Sequence, residues 1–130
     1  MDFIKLVLSA AGHYQYKEAS NIPMNILGNF LASDVGCGSR LSMRPTLQEW
    51  ALDDSYGIGF CGNITSVDKL ENEIILSDLF ADEDNSMQIR MTRQQFVYLL
   101  NDWQEKVCKD KPKIVTIKHV DGQFFIVTQN

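Results

Sequence analysis

No two cysteines in this sequence stand at metal-ligand spacing, no apolar run is long enough to span a bilayer, and no tract is of low complexity. The first absence excludes a zinc framework, since Cys37, Cys61 and Cys108 are odd in number, far apart and without a Cys-x-x-Cys pair. Free thiols in a reducing compartment are the expectation, because a disulfide scaffold calls for an even, closely spaced set. The second absence excludes a transmembrane helix, which takes about 20 consecutive apolar residues. The opening stretch Met1-Asp2-Phe3-Ile4-Lys5-Leu6-Val7-Leu8 puts an acid ahead of its apolar residues and a lysine among them, unlike the basic start and unbroken core of a signal peptide. Cytoplasmic residence is therefore expected. The third absence points to folding throughout. With 130 residues, 45% of them hydrophobic and 22% charged, the chain is expected to form one domain over residues 1–130 around one core.

Basic residues are nearly missing from one stretch. Residues 51–86 hold nine acids and a single base, Lys69, whereas residues 1–50 balance four acids with four bases and residues 87–130 carry a net charge of +3. The nine acids are Asp53, Asp54, Asp68, Glu71, Glu73, Asp78, Asp82, Glu83 and Asp84. Such a segment repels phosphate, so direct nucleic-acid binding, which needs a basic groove or stripe, is not expected. Two readings of it stand side by side: a solvated face, or a docking surface for a basic protein.

Periodicity is clearest in the last third. Met87 to Met91 alternates as a short strand and leads into Thr92, a helix N-cap with Gln95 completing a Thr-x-x-Gln capping box. Phe96, Leu99, Leu100, Trp103 and Val107 then recur at helical spacing, with Asp102–Lys106 and Glu105–Lys109 as i,i+4 pairs and Pro112 as the stop. Ile114–Val120 and Gln123–Thr128 flank Asp121-Gly122, the signature of a type I′ hairpin that pairs Val120 with Gln123, His119 with Phe124 and Ile117 with Ile126.

Upstream, Phe3 to Leu8 suits a strand, and Ile26, Leu27, Phe30 and Leu31 after Pro23 suit a helix weakened by Gly28. Thr46 to Glu49 offers a capping box for a short helix carrying Trp50, and Tyr56 to Ile64 pairs with Glu73 to Phe80. The expected fold is α+β, a mixed and largely antiparallel sheet with two main helices and a C-terminal β-hairpin.

Catalytic and cofactor motifs do not assemble. Gly57-Ile58-Gly59-Phe60-Cys61-Gly62 matches G-x-G-x-x-G, but the glycines of a dinucleotide site must lie between a strand and a helix N-terminus, and here they sit within an alternating strand. No cofactor is expected. His13 and His119 would serve as the acid–base pair of a small nuclease only if the fold joined them, with a lysine such as Lys17 or Lys118 beside the developing charge. The Asp82-Glu83-Asp84 run lacks the alternating oxygen ligands and central glycine of a calcium loop, so no metal is expected either.

Three stretches carry a family likeness: Ile89-Arg90-Met91-Thr92-Arg93-Gln94-Gln95-Phe96, Leu99-Leu100-Asn101-Asp102-Trp103, and Cys108-Lys109-Asp110-Lys111-Pro112-Lys113 ahead of a strand. In them the chain resembles bacterial immunity proteins of polymorphic toxin systems, particularly those of contact-dependent growth inhibition. The resemblance covers about a third of the chain, and residues 1–86 have no part in it. It implies a cytoplasmic, non-enzymatic protein that binds the C-terminal toxin domain of a secreted effector, often a nuclease, and blocks its active site or substrate path. The nine acids of residues 51–86 are then the expected partner-binding residues. The alternatives are a small enzyme using His13 and His119, or a regulatory or scaffold module for another basic protein.

Overall fold

The computed structural model describes residues 2–37, 44–53, 57–61, 65–78 and 88–130. In chain order the elements are β1 (Asp2–Leu8), β2 (Tyr14–Ala19), α1 (Ile22–Asn29), α2 (Arg44–Leu52), β3 (Gly57–Cys61), β4 (Thr65–Leu70), β5 (Glu73–Asp78), β6 (Gln88–Thr92), α3 (Arg93–Asp102), β7 (Ile114–Val120) and β8 (Gln123–Gln129). Two helices continue with wider π-type turns, α1 through Phe30–Val35 and α3 through Trp103–Cys108.

The α+β class is as the sequence indicates, but the strands build two antiparallel sheets instead of one mixed sheet. Sheet A has the order β2-β1-β7-β8 and sheet B the order β3-β4-β5-β6. Sheet A thus comes from the two ends of the chain and sheet B from its middle. Helices α1 and α3 pack on both. One apolar core joins Ile4, Leu6, Val115 and Ile117 of sheet A to Val67, Ile74, Leu76 and Met91 of sheet B through Phe30, Phe96, Leu100 and Trp103. Phe30 and Phe96 stack across the two helices with ring centroids 6.0 Å apart.

Local chemistry sets the helix ends. Asn21 caps α1, its Oδ1 accepting from the Met24 amide at 2.9 Å, and Pro23 occupies the first turn, where its missing N–H costs nothing. Gly28 has a packing reason beyond weak propensity: a Cβ there would stand 2.2 Å from Ile4 Cδ1, so its absence lets α1 lie close on β1. Helix α3 starts at the expected cap, with Thr92 Oγ1 accepting from the Gln95 amide at 3.1 Å. The other half of the capping box is not made, because the Gln95 side chain turns to Phe124. The apolar stripe is buried and both i,i+4 pairs form, Asp102–Lys106 at 3.5 Å and Glu105–Lys109 at 2.8 Å. The C-terminal hairpin has the expected register, and both turn residues, Asp121 and Gly122, have positive φ, as a type I′ turn requires.

The free-thiol expectation is corrected for two cysteines. Cys37 and Cys108 form a disulfide with Cα atoms 5.2 Å apart, across a sequence separation of 71 residues. It joins the C-terminal ends of the α1 and α3 continuations, a proximity that only the folded chain creates. No helix among the described residues is long and apolar enough to cross a membrane.

Candidate functional site

The acidic residues do not form one uniform face. Asp53 ends α2, and its carboxylate is engaged from below by Lys69, a β4 residue whose side chain is 0% exposed. Lys69 Nζ lies 2.6 Å from Asp53 Oδ1, donates to the carbonyls of Trp50 (2.5 Å) and Asp53 (3.0 Å), and sits 4.8 Å over the Trp50 ring. Arg93 adds donation to the Ala51 carbonyl at 2.5 Å and to the Asp53 carbonyl. Two cations thus satisfy the orphan carbonyls at the negative end of α2. Asp53 is held in this structural cluster.

Of the remaining acids, Glu73 is exposed and pairs with Arg90 across the β5–β6 ladder at 3.8 Å. Glu71 is exposed in the β4–β5 turn at φ 55°, while Asp68 and Asp78 are half-buried on β4 and β5. Asp54, Asp82, Glu83 and Asp84 lie outside the described residues. The G-x-G-x-x-G stretch is strand β3 from Gly57 to Cys61, paired with β4, and Gly62 again lies outside the described residues.

His13 and His119 are not brought together. Strand β1 pairs Asp2 with His119 and, at its other end, Leu8 with Tyr14, the neighbour of His13. Six residue steps along a strand set the two histidines about 20 Å apart. The His119 ring stacks on Phe124, centroids 4.0 Å apart and planes 2° from parallel, with Asp2 Oδ2 at 3.9 Å.

A cleft of about 480 Å³ opens beside His13, a volume in the usual range for small-ligand sites. Its walls come from three chain segments: the β1–β2 turn and start of β2 with His13 and Tyr14, the end of the α1 continuation with Asp34 and Gly36, and the α3 continuation and the turn after it with Trp103 and Lys111. The segments are cross-tied. Tyr14 Oη donates to the Pro112 carbonyl at 2.6 Å, Trp103 Nε1 donates to the Gly36 carbonyl at 3.1 Å, and the Cys37–Cys108 bond joins the two helix ends. The Tyr14 and Trp103 rings meet edge to face at 5.9 Å, and burial raises the Tyr14 phenol above its ordinary value of 10.0. Sequence reasoning counted Lys69 only as the single base of residues 51–86 and saw no cleft. Its lining residues are spread from Gly12 to Lys111, so no local spacing marks it.

Neither region joins a nucleophile to a base, and no group of three or more His, Cys, Asp or Glu residues suited to a metal ion occurs among the described residues. The chain matches no family model, no curated protein and no solved structure with which it was compared.

Proposed function

We propose that this chain is a recognition module that binds and neutralises a basic protein partner, as an immunity protein does its toxin domain, by covering the active site or substrate path of that partner. The observation that carries the reading is the segregation of charge. Residues 51–86 have nine acids and one base, and that base, Lys69, is turned inward against Asp53 and the end of α2. Glu71 and Glu73 stand exposed beside it in the β4–β5 turn region. An acidic surface of this kind attracts a basic nucleic-acid groove and speeds encounter.

The test uses the toxin domain of a secreted effector encoded beside this chain. Its association rate should fall with added salt, and the variant Asp82→Asn/Glu83→Gln/Asp84→Asn should lower the rate at low salt and flatten the salt slope. Equal rates and slopes for wild type and variant would remove this segment from the interface. Cytoplasmic residence, expected from free thiols, now competes with an oxidising compartment, which the Cys37–Cys108 bond favours. Rapid acid quenching and alkylation of cells would decide between them by the thiol state of these two residues.

A further inference from the structure

We propose that the outer face of sheet A is the contact surface of a homodimer, on which a second copy of this chain packs its own sheet A face to face.

Strand alternation fixes what that face carries. On β1, β7 and β8 the residues Ile4, Leu6, Val115, Ile117, Phe124 and Ile126 belong to the core, so the residues between them point the other way, because successive side chains of a strand leave opposite faces. An antiparallel sheet with one covered face normally keeps polar residues on the other. Sheet B largely does so, with Ser66, Asp68, Glu73, Ser77, Gln88 and Arg90 turned out. Sheet A does not. Its outward positions include Phe3, Val7, Ile114, Val120, Phe125 and Val127, none of which packs against the core. The ladder sets them side by side: Phe3 and Phe125 flank Lys118 in one row, Val127 lies opposite Thr116 in the next, and Val7 lies opposite Ile114 in the third. Val127 is exposed and the other five are half-buried, so no element among the described residues closes over the face. An exposed apolar patch that crosses three strands marks an interaction surface.

Charge selects the occupant. The charged residues at the outward positions of β1, β7 and β8 are Lys5 and Lys118, and Lys5 is paired with Glu18 of β2 at 3.7 Å. A nucleic acid or an anionic bilayer calls for a strongly basic surface, and a basic protein calls for an acidic one. A nearly neutral apolar face fits its own copy, as the apolar, charge-poor interfaces of homodimers show. The area agrees. Four strands of six or seven residues make a face of roughly 20 Å by 24 Å. Two such faces in contact bury on the order of 1,000 Å² in total, the size a specific interface must reach. No residue of 51–86 belongs to sheet A, so failure of the dimer leaves the protein-binding proposal untouched.

The experiment is analytical ultracentrifugation of the full chain from about 1 to 200 µM, a range that brackets micromolar affinity. The expected result is a mass that rises with concentration to twice that of the monomer, with backbone amide shifts on dilution centred on Phe3, Thr116 and Phe125. Phe125→Lys/Val127→Lys places two charges on the apolar patch and should raise the dissociation constant at least about ten-fold. Its circular dichroism should stay that of the wild type, because both side chains point away from the core. Thr116→Arg, a single change in the middle of the face, should weaken the dimer in the same way and decides the matter if the double variant does not fold. A wild type that stays monomeric up to about 200 µM, weaker than a specific interface of this size allows, would overturn the proposal. So would a dimer that folded Thr116→Arg leaves unchanged. Monomers that sediment with phosphatidylcholine–phosphatidylglycerol vesicles without self-associating would assign the face to a bilayer and overturn it too.

Discussion

Gln95 and Phe124 meet twice: the Gln95 side-chain Nε2 donates to the Phe124 carbonyl at 2.9 Å, and its Oε1 accepts from the Phe124 amide at 3.3 Å. A side chain of α3 therefore fills the place of a neighbouring strand. Phe124 lies opposite His119, one step past the hydrogen-bonded pair that closes the hairpin turn, so its own N–H and C=O point away from β7. The Ile126 carbonyl, two residues on, receives Lys106 Nζ at 3.4 Å. Part of the open edge of sheet A is closed in this way. Gln95→Leu keeps the bulk and removes both bonds, leaving buried backbone groups without partners. It should cost about 1–3 kcal/mol in denaturant unfolding, and unchanged stability would show that the pairing is not made in solution.

Gly28 makes a prediction against helix propensity. Alanine is favoured over glycine in a helix by about 1 kcal/mol, yet a Cβ here would stand 2.2 Å from Ile4 Cδ1 in a fully buried site. Gly28→Ala should therefore destabilise, by about 1–3 kcal/mol as overpacking does. Ile4→Val removes the clashing Cδ1, so the double variant should recover part of the loss. A double-mutant cycle in urea measures the coupling, and additive effects would contradict the close approach.

Lys69 holds α2 to sheet B. Lys69→Met retains most of the volume but strips the Trp50 and Asp53 carbonyls of a donor, and should cost about 1–3 kcal/mol. Hydrogen exchange should rise most in α2, since the lost contacts are at its C-terminus. A uniform rise across the whole chain would assign Lys69 a different role.

The Cys37–Cys108 bond predicts thiol counts. Unfolded in denaturant without reductant, the protein should show one reactive thiol, Cys61, and after reduction all three cysteines. Closing a loop of this length contributes up to about 4 kcal/mol in the chain-entropy model, so Tm should drop on reduction. Three reactive thiols before reduction would mean that the bond is absent from the isolated protein.

What was legible in the sequence was what local pattern controls. Thr92 caps its helix, the Phe96-to-Val107 stripe is buried, and Asp121-Gly122 sets the hairpin register, because each depends on neighbours within a few residues. Strand β2 was missed because Gln15, Tyr16, Lys17 and Glu18 are all exposed on the edge of sheet A and show no apolar alternation. Strand β4 was missed because Lys69 occupies an inward position where the period calls for an apolar residue. The fate of Asp53, the cleft and the disulfide all rest on contacts between distant segments. Cys37 and Cys108, 71 residues apart, give no sign of each other in the sequence.

That bond lies where the chain leaves sheet A and returns toward it. Between Cys37 and Cys108 run α2, the whole of sheet B and α3, while every strand of sheet A lies outside the closed loop. The middle of the molecule is thus a covalent lariat. A single protease cut anywhere from residue 38 to residue 107 divides the backbone without releasing either piece. The nicked protein would run at full mass on a gel until a reductant separates its two halves.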